Sequence, residues 1–156
     1  MSRKRRHDGR RVVLDPEYQN EKIGKFINKV MLDGKKTVAQ KIVYMALQRL
    51  SDLVNEPVID AFEKVLKHAA PLMEVKSRRV GGSTYQVPVD VSPDRGYSLA
   101  VRWLISNSRA KSGKAFFLRL SDELVDTYNK VGTTIKKREE AHKMAEANKA
   151  FSHFRW

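Results

Sequence analysis

One stretch of this chain breaks the helical rhythm of everything around it. Val75 to Val91 reads as two arms meeting at Gly81-Gly82. A glycine pair suits a tight turn because both residues take positive φ without a Cβ clash. Beyond the turn, Tyr85, Val87, Val89 and Val91 alternate with Gln86, Pro88 and Asp90, the period-2 pattern of a half-buried strand. Pro88 cannot donate to a sheet ladder, which puts this arm at an edge. An isolated two-stranded ribbon is marginal in water. One that carries Lys76, Arg78, Arg79 and Tyr85 reads as built to be held by a partner. A solvated hairpin with charged gatekeepers is the plain alternative.

The flanking segments are helical. Ile23, Phe26, Ile27, Val30 and Met31 predict a first helix over about 20–33, with Gly34 as its C-cap glycine. Thr37 and Gln40 have capping-box spacing, which predicts the start of a second helix carrying Val43, Leu47, Leu50 and Val54. Asn55 is read as the cap of a third, with Pro57 in its first turn and Pro71 at its end. Ser92-Pro93 opens a fourth, which turns Ala100, Val101, Leu104 and Ile105 inward and reaches about Arg109. Ser112-Gly113 interrupts the pattern. A fifth helix then buries Phe117, Leu120, Leu124 and Tyr128 and ends at Gly132. The sixth, from Thr133 to Trp156, has few bulky apolar residues, mainly Ile135, Met144 and Phe151, so it is expected to be partly detached and ordered by a partner. Glu139 and Lys143 add an i, i+4 pair. The predicted fold is mainly α: a six-helix bundle in one domain over 1–156, with a two-stranded β-ribbon over 75–91 projecting between the third and fourth helices.

Charge narrows the function. Lys plus Arg number 31 against 18 Asp plus Glu, a net of +13. Such a field attracts polyanions. Ile42 to Glu74 holds three basic and five acidic residues, a net of −2, so the rest carries +15. That asymmetry marks a binding surface. Met1 to Arg11 places Arg3, Lys4, Arg5, Arg6, Arg10 and Arg11 against Asp8 alone, a basic arm expected to be disordered until a partner orders it. Arg95, Arg102 and Arg109 recur every seven residues on the fourth helix, with Ser98 and Ser106 between them. Three guanidinium groups on one stripe suit phosphate oxygens. Lys35, Lys36, Lys111, Lys114, Lys136, Lys137 and Arg138 crowd the turns and the start of the sixth helix. No apolar run approaches the roughly 20 residues of a membrane span. The basic N-terminus lacks the apolar stretch of a signal peptide. Cysteine is absent, which excludes disulfides and thiolate metal sites and fits a reducing compartment.

Catalytic and metal motifs fail one by one. Glu139-x-x-His142 has a metal-ligand spacing, but carboxylate-bridged sites need two such motifs, and three cations stand beside this one. Ser108-x-x-Lys111 lacks the companion motifs of penicillin-binding enzymes. Gly113-Lys114 resembles a phosphate loop, but Ser108 replaces the first glycine and Ala115 the hydroxyl. His7, His68, His142 and His153 are scattered, and His68 reads as a boundary residue of the third helix. No enzyme, metal or cofactor is expected. The residues lead to a cytoplasmic polyanion binder. They leave open an architectural or regulatory DNA-binding protein with an inserted ribbon, and an interaction scaffold using the near-neutral second and third helices.

Three motifs carry a family resemblance: Gly34-Lys35-Lys36 after an amphipathic helix, Val80 to Val89 around the glycine turn, and Lys136 to Trp156. Together they make the chain resemble the bacterial small-subunit ribosomal protein seven family, from the basic arm to the last residue. The resemblance implies a helical bundle with a projecting ribbon, and a primary binder of small-subunit ribosomal RNA (rRNA) that nucleates the head. It implies a place near the exit-site tRNA, with the ninth and eleventh small-subunit proteins as neighbours. The basic residues above, from Arg3 to Arg138 and including ribbon residues Lys76, Arg78 and Arg79, become the expected rRNA contacts. Arg79, Gly81, Gly82, Ser83, Tyr85, Lys149, His153 and Arg155 become the expected tRNA contacts. The location implied is the cytoplasmic ribosome.

Overall fold

The computed structural model describes residues 14–155. The basic arm over 1–11 and Trp156 therefore lie outside the described residues. The order is α1 (Glu21–Val30), α2 (Lys36–Val54), α3 (Val58–Ala69), β1 (Met73–Val80), β2 (Ser83–Asp90), α4 (Pro93–Ala110), α5 (Phe116–Tyr128), α6 (Thr133–Ala147) and a closing 3-10 helix, Lys149–Phe154. The mainly helical fold with a two-stranded hairpin between α3 and α4 is as the sequence predicts.

Helices α1 to α5 share one core. Ile23, Phe26 and Ile27 of α1, Val43, Leu47 and Leu50 of α2, Phe62 and Val65 of α3, Leu104 of α4, and Leu120 and Leu124 of α5 are all essentially without solvent contact. Phe26 and Phe62 meet at its centre, ring centroids 5.2 Å apart. The hairpin is antiparallel, with Val80 opposite Ser83, so Gly81-Gly82 is a two-residue turn. Both glycines have positive φ, +56° and +87°. That is the backbone of the turn whose twist matches its strands. The strands begin at Met73 and end at Asp90, two residues earlier at the base and one earlier at the end than predicted; Val91 still donates its N–H to Leu72 O. Alternation fails at one position: Pro88 is buried beside Val87.

Several element ends differ from expectation, each for a local reason. Asn20 caps α1 through its side chain, which accepts from Lys22 and Ile23 N–H, but the helix stops at Val30. Gly34 is therefore not its C-cap. It follows Asp33 in a left-handed turn, φ +51° then +70°, that leads straight into α2. That turn starts α2 at Lys36, so Thr37 lies inside the first turn and the capping box does not form. Asn55 does not cap α3. It ends α2 in the left-handed conformation, a position asparagine tolerates, and Pro57 takes the cap position of α3. Helix α5 ends at Tyr128 rather than Gly132, and Phe116, not Phe117, packs on the core. Glu139 and Lys143 form no ion pair.

The largest difference is α6. It is not detached and does not run to Trp156. It stops at Ala147, buries Thr134, Ile135 and Ala145, and lies against the ribbon, α3, α4 and α5. Arg138 donates to His68 O at 2.6 Å, and Leu72 N–H donates to His142 Nε2 at 2.9 Å. The latter bond needs an unprotonated Nε2. Burial, then the Arg138 charge, lowers the His142 pKa in agreement, against an opposing pull from Glu139. The 3-10 helix then folds onto the hairpin: Tyr85 sits 5.3 Å from Phe151 and 4.9 Å from Phe154. Small residues let α6 approach closely, which a count of bulky apolar residues does not see. No described helix is long and apolar enough to cross a membrane.

Candidate nucleic-acid interface

Helix α4 supplies the first surface. Its inner face is held by Ala100, Val101, Leu104 and Ile105, so its outer face presents Arg95, Ser98, Arg102, Ser106 and Arg109 to solvent. Helix α1 runs alongside and adds Lys25, Asn28 and Lys29 to the same groove, with Asp94 its one acidic lining residue. The ends of the arginine stripe are anchored. Arg95 pairs with Glu74 of β1 at 3.2 Å, and Arg109 donates to Val30 O at 3.1 Å. Arg102 and Lys29 have no ion pair or hydrogen bond among the described residues. The groove is thus a row of cations with fixed ends and a free middle. Only the packing of α1 on α4 makes Lys25 and Lys29 part of this groove.

Lys35 and Lys36 stand exposed at the α1–α2 turn, near the Arg109 end of the stripe. Lys136 and Lys137 are exposed on the first turns of α6. Three further expected contacts also have internal partners. Lys111 pairs with Glu123 at 2.7 Å and Asp126 at 3.4 Å. Lys114 reaches Asp122 at 3.3 Å. Arg138 spends one nitrogen on His68 O. Glu123 is wholly buried and also accepts from Thr134 N–H, Thr134 Oγ1 and Thr133 Oγ1. Burial alone would push its carboxyl up, but Lys111 and the Thr134 donors outweigh that and hold it below the ordinary carboxylate range. The same pair raises Lys111 against the opposing effect of its own burial. This buried lock between the α4–α5 loop and the start of α6 was missed in the sequence, where no local spacing signals it.

The second surface is the ribbon with its backing. Gly81, Gly82, Ser83 and Arg79 are exposed at the tip. Behind the tip, Tyr85 is half-buried against the Phe151 and Phe154 rings. Arg78 donates to Phe154 O, and Arg155 pairs with Asp90 at 3.0 Å and reaches Pro88 O. Lys149 and His153 are exposed on the 3-10 helix, the His153 ring 4.0 Å from Phe154. Lys76 pairs with Glu74 at 3.6 Å, so Glu74 joins the ribbon base to Arg95 of the first surface. The structure therefore brings Arg78, Tyr85, His153 and Arg155 into one unit.

Among the described residues no group of His, Asp and Glu is arranged to hold a metal ion. The two surfaces offer cations, hydroxyls and aromatic faces, the means by which proteins hold a phosphate backbone and unstacked bases.

The sequence comparisons point the same way. The family model for ribosomal protein S7p/S5e matches residues 2–149. A small ribosomal subunit protein uS7 from Petrotoga mobilis is 50% identical over 154 residues, 99% of each chain. The uS7 proteins of Nitrosococcus oceani and Chlamydia caviae are each 52% identical, with full coverage of both chains. On a match of this length and identity, the chain belongs to the ribosomal protein S7p/S5e family.

Proposed function

We propose that this protein is a structural constituent of the small ribosomal subunit in the cytoplasm, acting by binding and not by catalysis. In this reading it is a single domain and a primary rRNA binder that nucleates the head. The α1–α4 groove, the α1–α2 turn, the start of α6 and the basic arm hold rRNA. The ribbon tip and the C-terminal 3-10 segment face exit-site tRNA, and the ninth and eleventh small-subunit proteins are its protein neighbours. The observation that carries the reading is the cationic α1–α4 groove on a chain of this family, since a row of arginines with hydroxyls between them suits a phosphate backbone.

Salt and competition test it. Binding of small-subunit rRNA should weaken steeply as salt rises, with a log–log slope equivalent to at least ~6 phosphate contacts. Duplex DNA of equal length should compete poorly, because A-form RNA presents 2′-hydroxyls across a shallow minor groove. Replacing Arg95, Arg102 and Arg109 together by Ala should reduce both affinity and slope. Equal competition by DNA would favour the architectural DNA-binding reading, and a flat salt dependence would remove the electrostatic one.

A further inference from the structure

The arginine stripe ends at a cleft of different character. Arg109 lies between the α1–α4 groove and a second hollow, formed by the α1–α2 turn and the start of α5. The hollow has an apolar floor, with Leu32 60% and Val38 51% exposed and Ile42 and the Phe116 ring partly buried beside them. Its rim is cationic: Lys35, Arg109 and Arg119, with Asp33 as the one acid. Two of these cations are fixed in place. Arg109 donates to Val30 O at 3.1 Å. Arg119 donates to the carbonyls of Lys111 and Arg109, with its guanidinium 5.5 Å from the centre of the Phe116 ring.

Exposed Leu and Val in such a setting need an occupant with both an apolar face and negative charge. A protein–protein interface also sets an apolar core inside a polar rim; here the rim is cationic but for Asp33, and that single sign favours a polyanion. A paired RNA duplex offers the phosphates but keeps its base faces stacked inside. An unpaired nucleotide offers both, with a flat base for the apolar floor and ring and a phosphate for the rim. We propose that this cleft is a pocket for an unstacked nucleotide of a bulge or loop. The adjoining RNA backbone lies along the α1–α4 groove and its phosphate turns in past Arg109. The proposal rests on the rRNA-binding reading and adds the class of RNA feature this end of the surface selects.

The test uses the full-length chain and two RNA hairpins of equal length, one fully paired and one with a short bulge of randomised sequence. Wild-type protein should bind the bulged hairpin more tightly by on the order of tenfold, the worth of stacking one base. The double variant Leu32→Ser/Val38→Ser keeps every charge and alters two exposed positions. It should lose that preference while retaining its affinity for the paired hairpin and its salt dependence. Val38→Thr, nearly the same shape, is the second variant should the double one lower the melting temperature, and it should weaken the preference in the same direction. Equal, salt-dependent binding of both hairpins by wild type would overturn the pocket alone, as would a preference that survives in the variants. Absence of salt-dependent binding to either RNA would overturn the parent reading and the pocket with it.

Discussion

Two aromatic clusters hold this molecule, under opposite conditions. Phe26 and Phe62 meet at 5.2 Å with essentially no exposure, inside five helices that share one core. Tyr85, Phe151 and Phe154 meet at comparable distances, 4.9 to 6.5 Å, yet remain partly exposed. The first cluster gains from complete removal of apolar surface from water. The second gains a partial burial, supplemented by Arg78 to Phe154 O and by Arg155 to Asp90. The core is thus set to be rigid, and the ribbon with its C-terminal backing to open locally without global unfolding. The groove between α1 and α4 inherits the rigidity of the core. The ribbon tip inherits only what the clasp gives it.

The comparison can be broken first at the core. Phe62→Ala should cost about 4 kcal/mol of global stability. Chemical denaturation monitored by circular dichroism would read it as a lower midpoint. A cost well under 1 kcal/mol would mean the five helices do not share one cooperative core.

The buried ion pair ranks second in its effect on stability. Glu123→Gln removes the charge that Lys111 faces and should cost about 3 kcal/mol, at the low end for a broken buried pair because Lys111 stays one-third exposed. The sign of its pH dependence is fixed. The folded Glu123 carboxyl titrates below its ordinary value, so its contribution is complete above about pH 4.3 and is lost as pH falls through the lower folded value. Wild type and variant should therefore differ most near neutrality and converge in acid. A gap that widens toward low pH would contradict the pairing.

The clasp gives the smallest effect on stability and the most local one. Phe154→Ala should cost about 1 kcal/mol, confined to the ribbon. Amide exchange should quicken between Arg78 and Tyr85 and stay unchanged in α1 to α5. Equal acceleration in both regions would show that the ribbon and the core unfold as one unit.

The sequence carries some of this architecture openly. Ile23, Phe26, Ile27 and Val30 announce α1 through their spacing, and Gly81-Gly82 announces the turn, because in both cases the signal is local. The caps expected at Thr37 and Asn55 do not form, and the reason is equally local. Ser, Thr and Asn suit several end positions, and the backbone before them decides which they take. The contacts of α6 are not local. His142 with Leu72 N–H and Tyr85 with Phe154 join residues some 70 positions apart. Nothing in the composition of the sixth helix shows that small side chains let it settle against the ribbon. The arginine stripe was legible as a stripe. That Lys25 and Lys29 face it, and that Lys111 is turned inward to Glu123, follows only from how the helices pack.

The division between the two regions is tested most directly by shortening the tip, Arg79 to Thr84, to a tight turn, and reconstituting small subunits with the shortened protein. The α1–α4 groove is untouched by the deletion, so assembly yield and rRNA affinity should match wild type, while exit-site tRNA should dissociate at a changed rate. Collapse of assembly with unchanged tRNA dissociation would contradict the account, and would make the ribbon an rRNA anchor.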